Sequence, residues 1–288
     1  MGICAIIVDN SDSSFLRFFA ISRVAGFPLI EKIYVLTDRK EEHLDPKVVF
    51  VQVASTICKN YNSLMLGDIN EYIDDKFSHF LVFQWDGFPC RYELWEDEFL
   101  NYDYIGAPWP VAGSTTDHIV GNGGFSLRSR RLYSILNSID IKKDYVDGTA
   151  EDAYLCINKR DVLEASGVRF PPIDLAARFS RESQFLVNPC FGFHGLHNLP
   201  LVLSVEELAL AFNEILARSP SLTSTTAIST FFLLCCYERK HLDALRSYFS
   251  NSKNQEAIGV LLDLDHHGAH GYRPGIFRKF LHSEGVLK

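Results

Sequence analysis

Apolar positions along this chain change period several times. Ile3–Val8 is a continuous apolar run of strand length, and Phe15, Leu16, Phe18, Phe19 and Val24 come next at helical spacing. Lys32–Thr37 and Val48–Val53 are two more short β-branched runs. Between Tyr61 and Phe77 the residues Tyr61, Leu64, Met65, Ile69, Tyr72, Ile73 and Phe77 recur at three and four, which predicts an amphipathic helix. His79–Phe83 again reads as a strand. The order β-α-β-β-α-β predicts a Rossmann-like α/β fold, a mixed and mainly parallel sheet flanked by helices.

After Gln84 the pattern breaks into short strands and turns. Helices are expected from about Leu127 to Leu136, and from Thr149 towards Ser166-Gly167, with Pro171-Pro172 as a stop. From Ser204 the chain turns helical, through Val205–Phe212, Ala227–Tyr237 and His241–Phe249. A boundary near residue 200 would separate a catalytic α/β domain, 1–200, from a small helical region, 201–288.

Composition narrows the function classes. Apolar content of 47% and charged content of 22% suit a soluble protein with a sizeable core. A net charge of −8 argues against non-specific nucleic-acid binding, but a nucleotide diphosphate remains acceptable because a bound cation reverses the local sign. The seven cysteines form no CxxC pair, and Asp9, Asn10 and Asp12 end the first apolar run too early for a secretion signal. Ile6 stands where a myristoylation signal needs Ser or Thr. The expectation is a cytoplasmic protein with reduced thiols.

Candidate chemistry gathers in the middle third. Asp86 comes after a strand within Gln84-Trp85-Asp86-Gly87; it reads either as a turn or as a carboxylate for Mg²⁺ or Mn²⁺ at the carboxyl end of the sheet. Gly121-Asn122-Gly123-Gly124 reads as a hairpin turn or as bare backbone that a sugar can approach. Thr149-Ala150-Glu151-Asp152 reads as a helix cap or as a site holding a general base. His194 is a structural hydrogen-bonder or an exposed metal or phosphate ligand, and the Asp265-His266-His267 and His270 cluster reads as a solvated loop. Trp85, Tyr104 and Trp109 are core aromatics or sugar platforms, and Arg128, Arg130, Arg131, Arg178 and Arg181 are surface charges or phosphate partners.

Taken together, Gln84–Asp86, Asp103–Trp109 (DYIGAPW), Gly121–Arg128 (GNGGFSLR), Glu151-Asp152 and Ala176–Glu182 resemble the motifs of a family of uncharacterised glycosyltransferase-like proteins, assigned to a domain of unknown function, that look like GT-A-fold glycosyltransferases. The resemblance covers roughly residues 1–200. It implies a GT-A-like fold, with Asp86 as the metal-binding carboxylate and Gln84 in the place of a first acid. It further implies Asp152 as the catalytic base with Glu151 as its alternate, His194 completing the metal shell, and Asp9 and Asp38 holding the nucleoside. Trp85, Trp109, Asn122, Gly123, Gly124 and Arg128 complete the nucleotide-sugar site.

The resulting expectation is a metal-assisted glycosyltransferase moving a sugar from a nucleotide-diphosphate sugar, a UDP-sugar by preference, to a glycan acceptor. The rivals are a glycoside hydrolase using Asp86 and Asp152 as paired carboxylates, and a carbohydrate-binding protein without catalysis. The C-terminal helices are candidates for homo-oligomer contacts or for peripheral membrane contact through Arg273, Arg278, Lys279 and Lys288.

Overall fold

A computed structural model describes residues 2–10, 15–109, 120–182, 189–204, 206–208, 210–211, 214 and 276–283. The chain forms two compact units, Met1–His194 and Gly195–Lys288.

The first unit is a Rossmann-like mixed α/β structure. Its elements begin with β1 (Gly2–Val8), α1 (Phe15–Ala25), β2 (Ile30–Thr37), β3 (Val48–Gln52), α2 (Ser55–Lys59), α3 (Tyr61–Met65) and β4 (Phe77–Val82). They continue with β5 (Tyr104–Gly106), β6 (Ser126–Ser129), α4 (Arg130–Ser138), α5 (Glu151–Ala153), α6 (Arg160–Ala165) and α7 (Ile173–Phe179). The six strands lie in the order β3-β2-β1-β4-β6-β5. β1 pairs in parallel with β2 and β4, and β2 in parallel with β3. β6 alone among the six runs against its neighbours β4 and β5. A separate ribbon joins β7 (Ser180–Arg181) to β8 (Gly192–Phe193).

Ile3 through Ile7 of β1 are all buried, as a central parallel strand covered on both faces requires. Cys4, Ile6, Phe80 and Val82 share a core with Leu64 and Met65 of α3, Leu132 and Leu136 of α4, Leu155 and Leu163. α1 packs on β2 and buries Leu16, Ala20, Ile21 and Val24. Phe191 stacks among Phe27, Trp95, Phe125 and Phe179, and this ring cluster seats the strand that ends next to His194.

Several expected elements differ. The amphipathic stretch from Tyr61 is not one helix: α3 ends at Met65, Gly67 is extended at φ 166°, and a 3₁₀ turn spans Asp68–Tyr72. Leu64, Met65, Ile69 and Ile73 still enter one core, so the apolar spacing is kept across the break. Leu127 lies in β6 rather than in a helix, because Ser129 caps α4 by accepting from Leu132 N at 2.9 Å. The helix expected from Thr149 starts at Glu151, with Ala150 at the cap position and no side-chain cap, so the capping reading of Thr149 fails. A π-helical turn over Tyr154–Asn158 then separates α5 from α6.

In the second unit, Leu199–Val202 is a short helix, and Ser204 and Glu207 form a reciprocal capping box with bonds of 2.8 and 3.1 Å. A further helix spans Ile276–Ser283 and exposes Arg278 and Lys279. The helices expected at 227–237 and 241–249, the 265–270 cluster, Arg273 and Lys288 lie outside the described residues. No helix among the described residues is long and apolar enough to cross a membrane.

Candidate functional site

The site begins at the turn after β4. Gln84 and Gly87 exchange two backbone hydrogen bonds of 3.1 Å, leaving Trp85 and Asp86 at the tip of a tight turn. Asp86-Gly87 is therefore a turn, and the turn lies beyond the carboxyl end of the strand. Asp86 is 8% exposed, and its Oδ1 is buried with no hydrogen-bond partner among the described residues. A buried carboxylate oxygen in that state needs a cation or donor to offset its desolvation.

His194 is the neighbour of that oxygen. Its Nε2 stands 3.7 Å from Asp86 Oδ1 and 3.2 Å from Gln84 Oε1, while Nδ1 stands 3.1 Å from Glu182 Oε1 and 3.0 Å from Asn122 Nδ2. The ring is 18% exposed, so the position expected to be exposed is in fact an enclosed one. Burial lowers the His194 pKa, but the Asp86 carboxylate, the Glu182 bond and charge, and Asp152 outweigh it and raise the value to about 9. The protonated ring donates to Glu182 and Gln84.

The Gly121–Gly124 segment forms the other wall. Val120 bridges Pro108, Asn122 is left-handed at φ 54°, and its Oδ1 accepts from Phe125 N at 3.2 Å. This is an irregular loop rather than the expected hairpin, because Val120 pairs back to Pro108 and not to Phe125. All three of its glycines are closely approached, Gly121 by the Trp109 ring. A Cβ on Gly124 would overlap His194 Nε2, and one on Gly123 would overlap Glu151 Oε1. The amide of Gly123 donates to Asp152 Oδ2 at 2.8 Å, and Ala153 N donates to Oδ1 at 2.7 Å, which fixes the carboxylate plane of Asp152.

Adjacent Glu151 has a different environment. It is 2% exposed and takes a two-pronged ion pair from Arg128, at 2.8 and 3.2 Å. Arg128 is fully buried, donates to Ser126 Oγ at 3.0 Å and lies 4.8 Å from the Tyr104 ring centroid. Burial pushes the Glu151 carboxyl up, with Arg128 pulling it down. These two expectations are corrected on geometry. Glu151 is enclosed in a pair rather than presented as an alternate base, and Arg128 is neutralised beneath the loop rather than aimed at a phosphate.

Asp9 and Asp38 stand at the same end of the sheet, just past β1 next to β4 and just past β2 one strand further. Asp9 N donates to Leu36 O at 3.0 Å, and Asp38 lies 3.8 Å from Arg39. Burial raises the Cys58 pKa near the end of α2, and the Asp38 and Asp9 charges add to it. Trp85 is half-buried beside Asp86. Trp109 packs on Gly121 and donates from Nε1 to Glu182 Oε2 at 3.0 Å. Glu182 thus ties Trp109 to His194. It has no place among the expected site residues although it closes the Ala176–Glu182 motif. Asn62, whose Oδ1 accepts from Glu151 N at 3.3 Å, has no sequence signal.

Among the described residues no group of three or more His, Cys, Asp and Glu side chains has the spacing of a metal site. Asp86 and Nε2 of His194 could supply one oxygen and one nitrogen ligand to a divalent cation that drew the rest of its shell from water and phosphate oxygens. A cation there takes the place of the Nε2 proton.

A Rossmann-like α/β unit with its polar cluster beyond the carboxyl ends of β1 and β4 defines the class of this protein. The chain matches the family described as Protein of unknown function (DUF5672) over residues 47–194, just over half of its 288 residues, and belongs to that family. The matched span includes every site residue above except Asp9 and Asp38. No curated protein matches. Among solved structures it is similar to the bifunctional IspDF of Campylobacter jejuni, with 13% identity, 59% of this chain and 48% of that chain covered, and a TM-score of 0.38. It is likewise similar to the 4-diphosphocytidyl-2C-methyl-D-erythritolsynthase of Anaerococcus prevotii, with 13% identity, 61% and 94% covered, and a TM-score of 0.38. The match spans about half the length of the first of these proteins.

Proposed function

We propose that this protein is a GT-A-type glycosyltransferase of the cytoplasm that moves a sugar from a nucleotide-diphosphate sugar, UDP-linked by preference, to an acceptor hydroxyl of a glycan. The observation that carries the reading is the meeting of Asp86, His194 and Asp152, far apart in sequence, around the bare backbone of Gly123-Gly124.

Each residue has a role in a displacement at the anomeric carbon. Asp152, held in plane by Gly123 and Ala153, receives the acceptor hydroxyl proton as the new C–O bond forms. The bond to the diphosphate oxygen breaks, and that oxygen keeps the electron pair. Asp86 and His194 would hold a divalent cation, which when bound neutralises the leaving diphosphate. Glu182 fixes the His194 ring, Trp109 offers a face for the sugar, and Gly123-Gly124 leave room for it. Asp9 and Asp38 lie where the nucleoside end of the donor would rest.

A second reading, a glycan-binding protein without turnover, draws on Gln84 in place of an acid. Melting the protein with UDP, GDP, CDP or ADP, each with and without Mn²⁺, separates the two. One nucleotide should raise the melting temperature only with Mn²⁺, and Asp86→Ala should abolish the rise. No shift with any nucleotide, together with binding of a glycan, would favour the second reading and sink the first.

A further inference from the structure

At the end of the sheet opposite Asp86, where β4 begins, β6 ends and β5 begins, a groove of about 710 Å³ opens between the strand ends. Its walls carry Lys76, Arg130, Arg131 and Arg169 against the carboxylates Asp75 and Asp103. Four cations against two carboxylates in the lining, with Glu31 paired to Lys76, leave the groove cationic on a chain whose net charge is −8.

The carboxylates engage two of these cations closely: Asp103 pairs with Arg131 and Asp75 with Arg130. Asp103 is 1% exposed, and its oxygens accept from Ser129 Oγ at 2.6 Å, Arg131 at 2.5 Å and Arg169 N at 2.9 Å, while Arg131 also donates to Gly167 O at 2.7 Å. The Asp75 side chain stands in solvent and accepts from Arg130 at 3.2 Å. Arg130 is fixed to the wall by Phe77 O at 2.8 Å and Asn70 Oδ1 at 2.7 Å.

Arg169 and Lys76 differ from these. The Arg169 side chain is 60% exposed, and its Nε lies 3.7 Å from Asp103, too long for a hydrogen bond. Lys76 is 61% exposed and 3.4 Å from Glu31, an exposed pair of little worth. His79 and Leu100 line the groove between them, and Lys76 Nζ lies 4.6 Å from the centroid of the buried Phe77 ring. Burial lowers the His79 pKa against Asp103, so the ring is an uncharged wall at neutral pH. An exposed guanidinium fork beside such a wall matches a phosphate carried on an apolar body.

We infer that this groove binds an organic phosphate, its anionic head between Arg169 and Lys76 and its body along His79 and Leu100. The site uses none of the residues of the proposed sugar-transfer centre and stands or falls independently of it.

The test is calorimetric titration of the full chain with phenyl phosphate and with inorganic phosphate, in EDTA so that no divalent ion contributes. Phenyl phosphate should bind saturably at one site, at least tenfold tighter than inorganic phosphate. The double variant Arg169→Ser, Lys76→Ser should bind it at least tenfold more weakly, whereas Asp86→Ala should bind as the wild type does. Both replaced side chains are exposed, so the double variant should melt near the wild-type temperature; if it melts early, Arg169→Ser alone is the variant to titrate. No saturable binding, a preference below tenfold, retained affinity in the arginine variant, or loss in Asp86→Ala would each overturn the inference.

Discussion

Glu151 and Asp152 are consecutive acids with opposite fates, and the difference is set by which donors each meets. Glu151 faces a fully buried guanidinium, so Glu151→Gln leaves Arg128 charged and desolvated with a neutral partner. Breaking a buried pair from one side costs about 3–5 kcal/mol, and urea unfolding of the variant should show a loss of that size. A loss below about 1 kcal/mol would mean that the pair does not hold the loop. Asp152 is half-buried and, among the described residues, is anchored by two backbone amides. Asp152→Asn should keep nucleotide affinity and stability while transfer falls by roughly 10²–10⁴-fold. Turnover near wild type with weakened donor binding would remove Asp152 from the role of base. The sequence could not separate these neighbours, because adjacent residues at a helix start look alike until the partner strand is in place. Arg128 was legible as part of a motif but not as the partner of Glu151, 23 positions away.

At the scale of elements, the sequence conveyed strands better than helices. β1, β2 and β4 are buried over most of their length and β3 partly so, and their apolar runs are unambiguous. The stretch after Tyr61 misled because apolar spacing reports which residues meet the core, not whether the backbone between them is continuous; Gly67 was the visible warning. β6 was hidden in the same way: Ser126-Leu127-Arg128-Ser129 has little strand character, and its place in the sheet comes from pairing with β4 and β5. Ser129 ends that strand and starts α4. Ser129→Ala removes the cap on Leu132 N and a bond to Asp103, and should cost about 1–2 kcal/mol in thermal or chemical unfolding. An unchanged midpoint would show that the strand end is held by Arg131 alone. The Gly121–Gly124 loop carries a separate expectation. Gly124→Ala should displace the His194 ring and abolish a Mn²⁺-dependent nucleotide shift, with the fold retained. Survival of that shift would dissociate His194 from the cation site.

On the scale of the whole unit, polarity is divided between the two ends of one sheet. Asp9, Asp38, Asp86 and Asp152 lie towards the carboxyl ends of β1, β2 and β4, an anionic end that suits a diphosphate only with a cation present. The groove of Lys76 and Arg169 lies at the opposite end and needs no cation to attract an anion. β6 runs between them, its four residues spanning about 10 Å. Two phosphate-bearing ligands should therefore occupy the chain at once without competing. Hydrogen exchange gives the readout. The preferred nucleotide with Mn²⁺ should slow exchange at 84–87, 121–124 and 150–153. Phenyl phosphate should slow it at 76–79, 100–103 and 129–131, and the two together should slow both sets. Competition between the ligands, or protection of one set by both, would collapse the two sites into one. Separate protection would place a charge-selective site behind the sheet, reached by its own ligand.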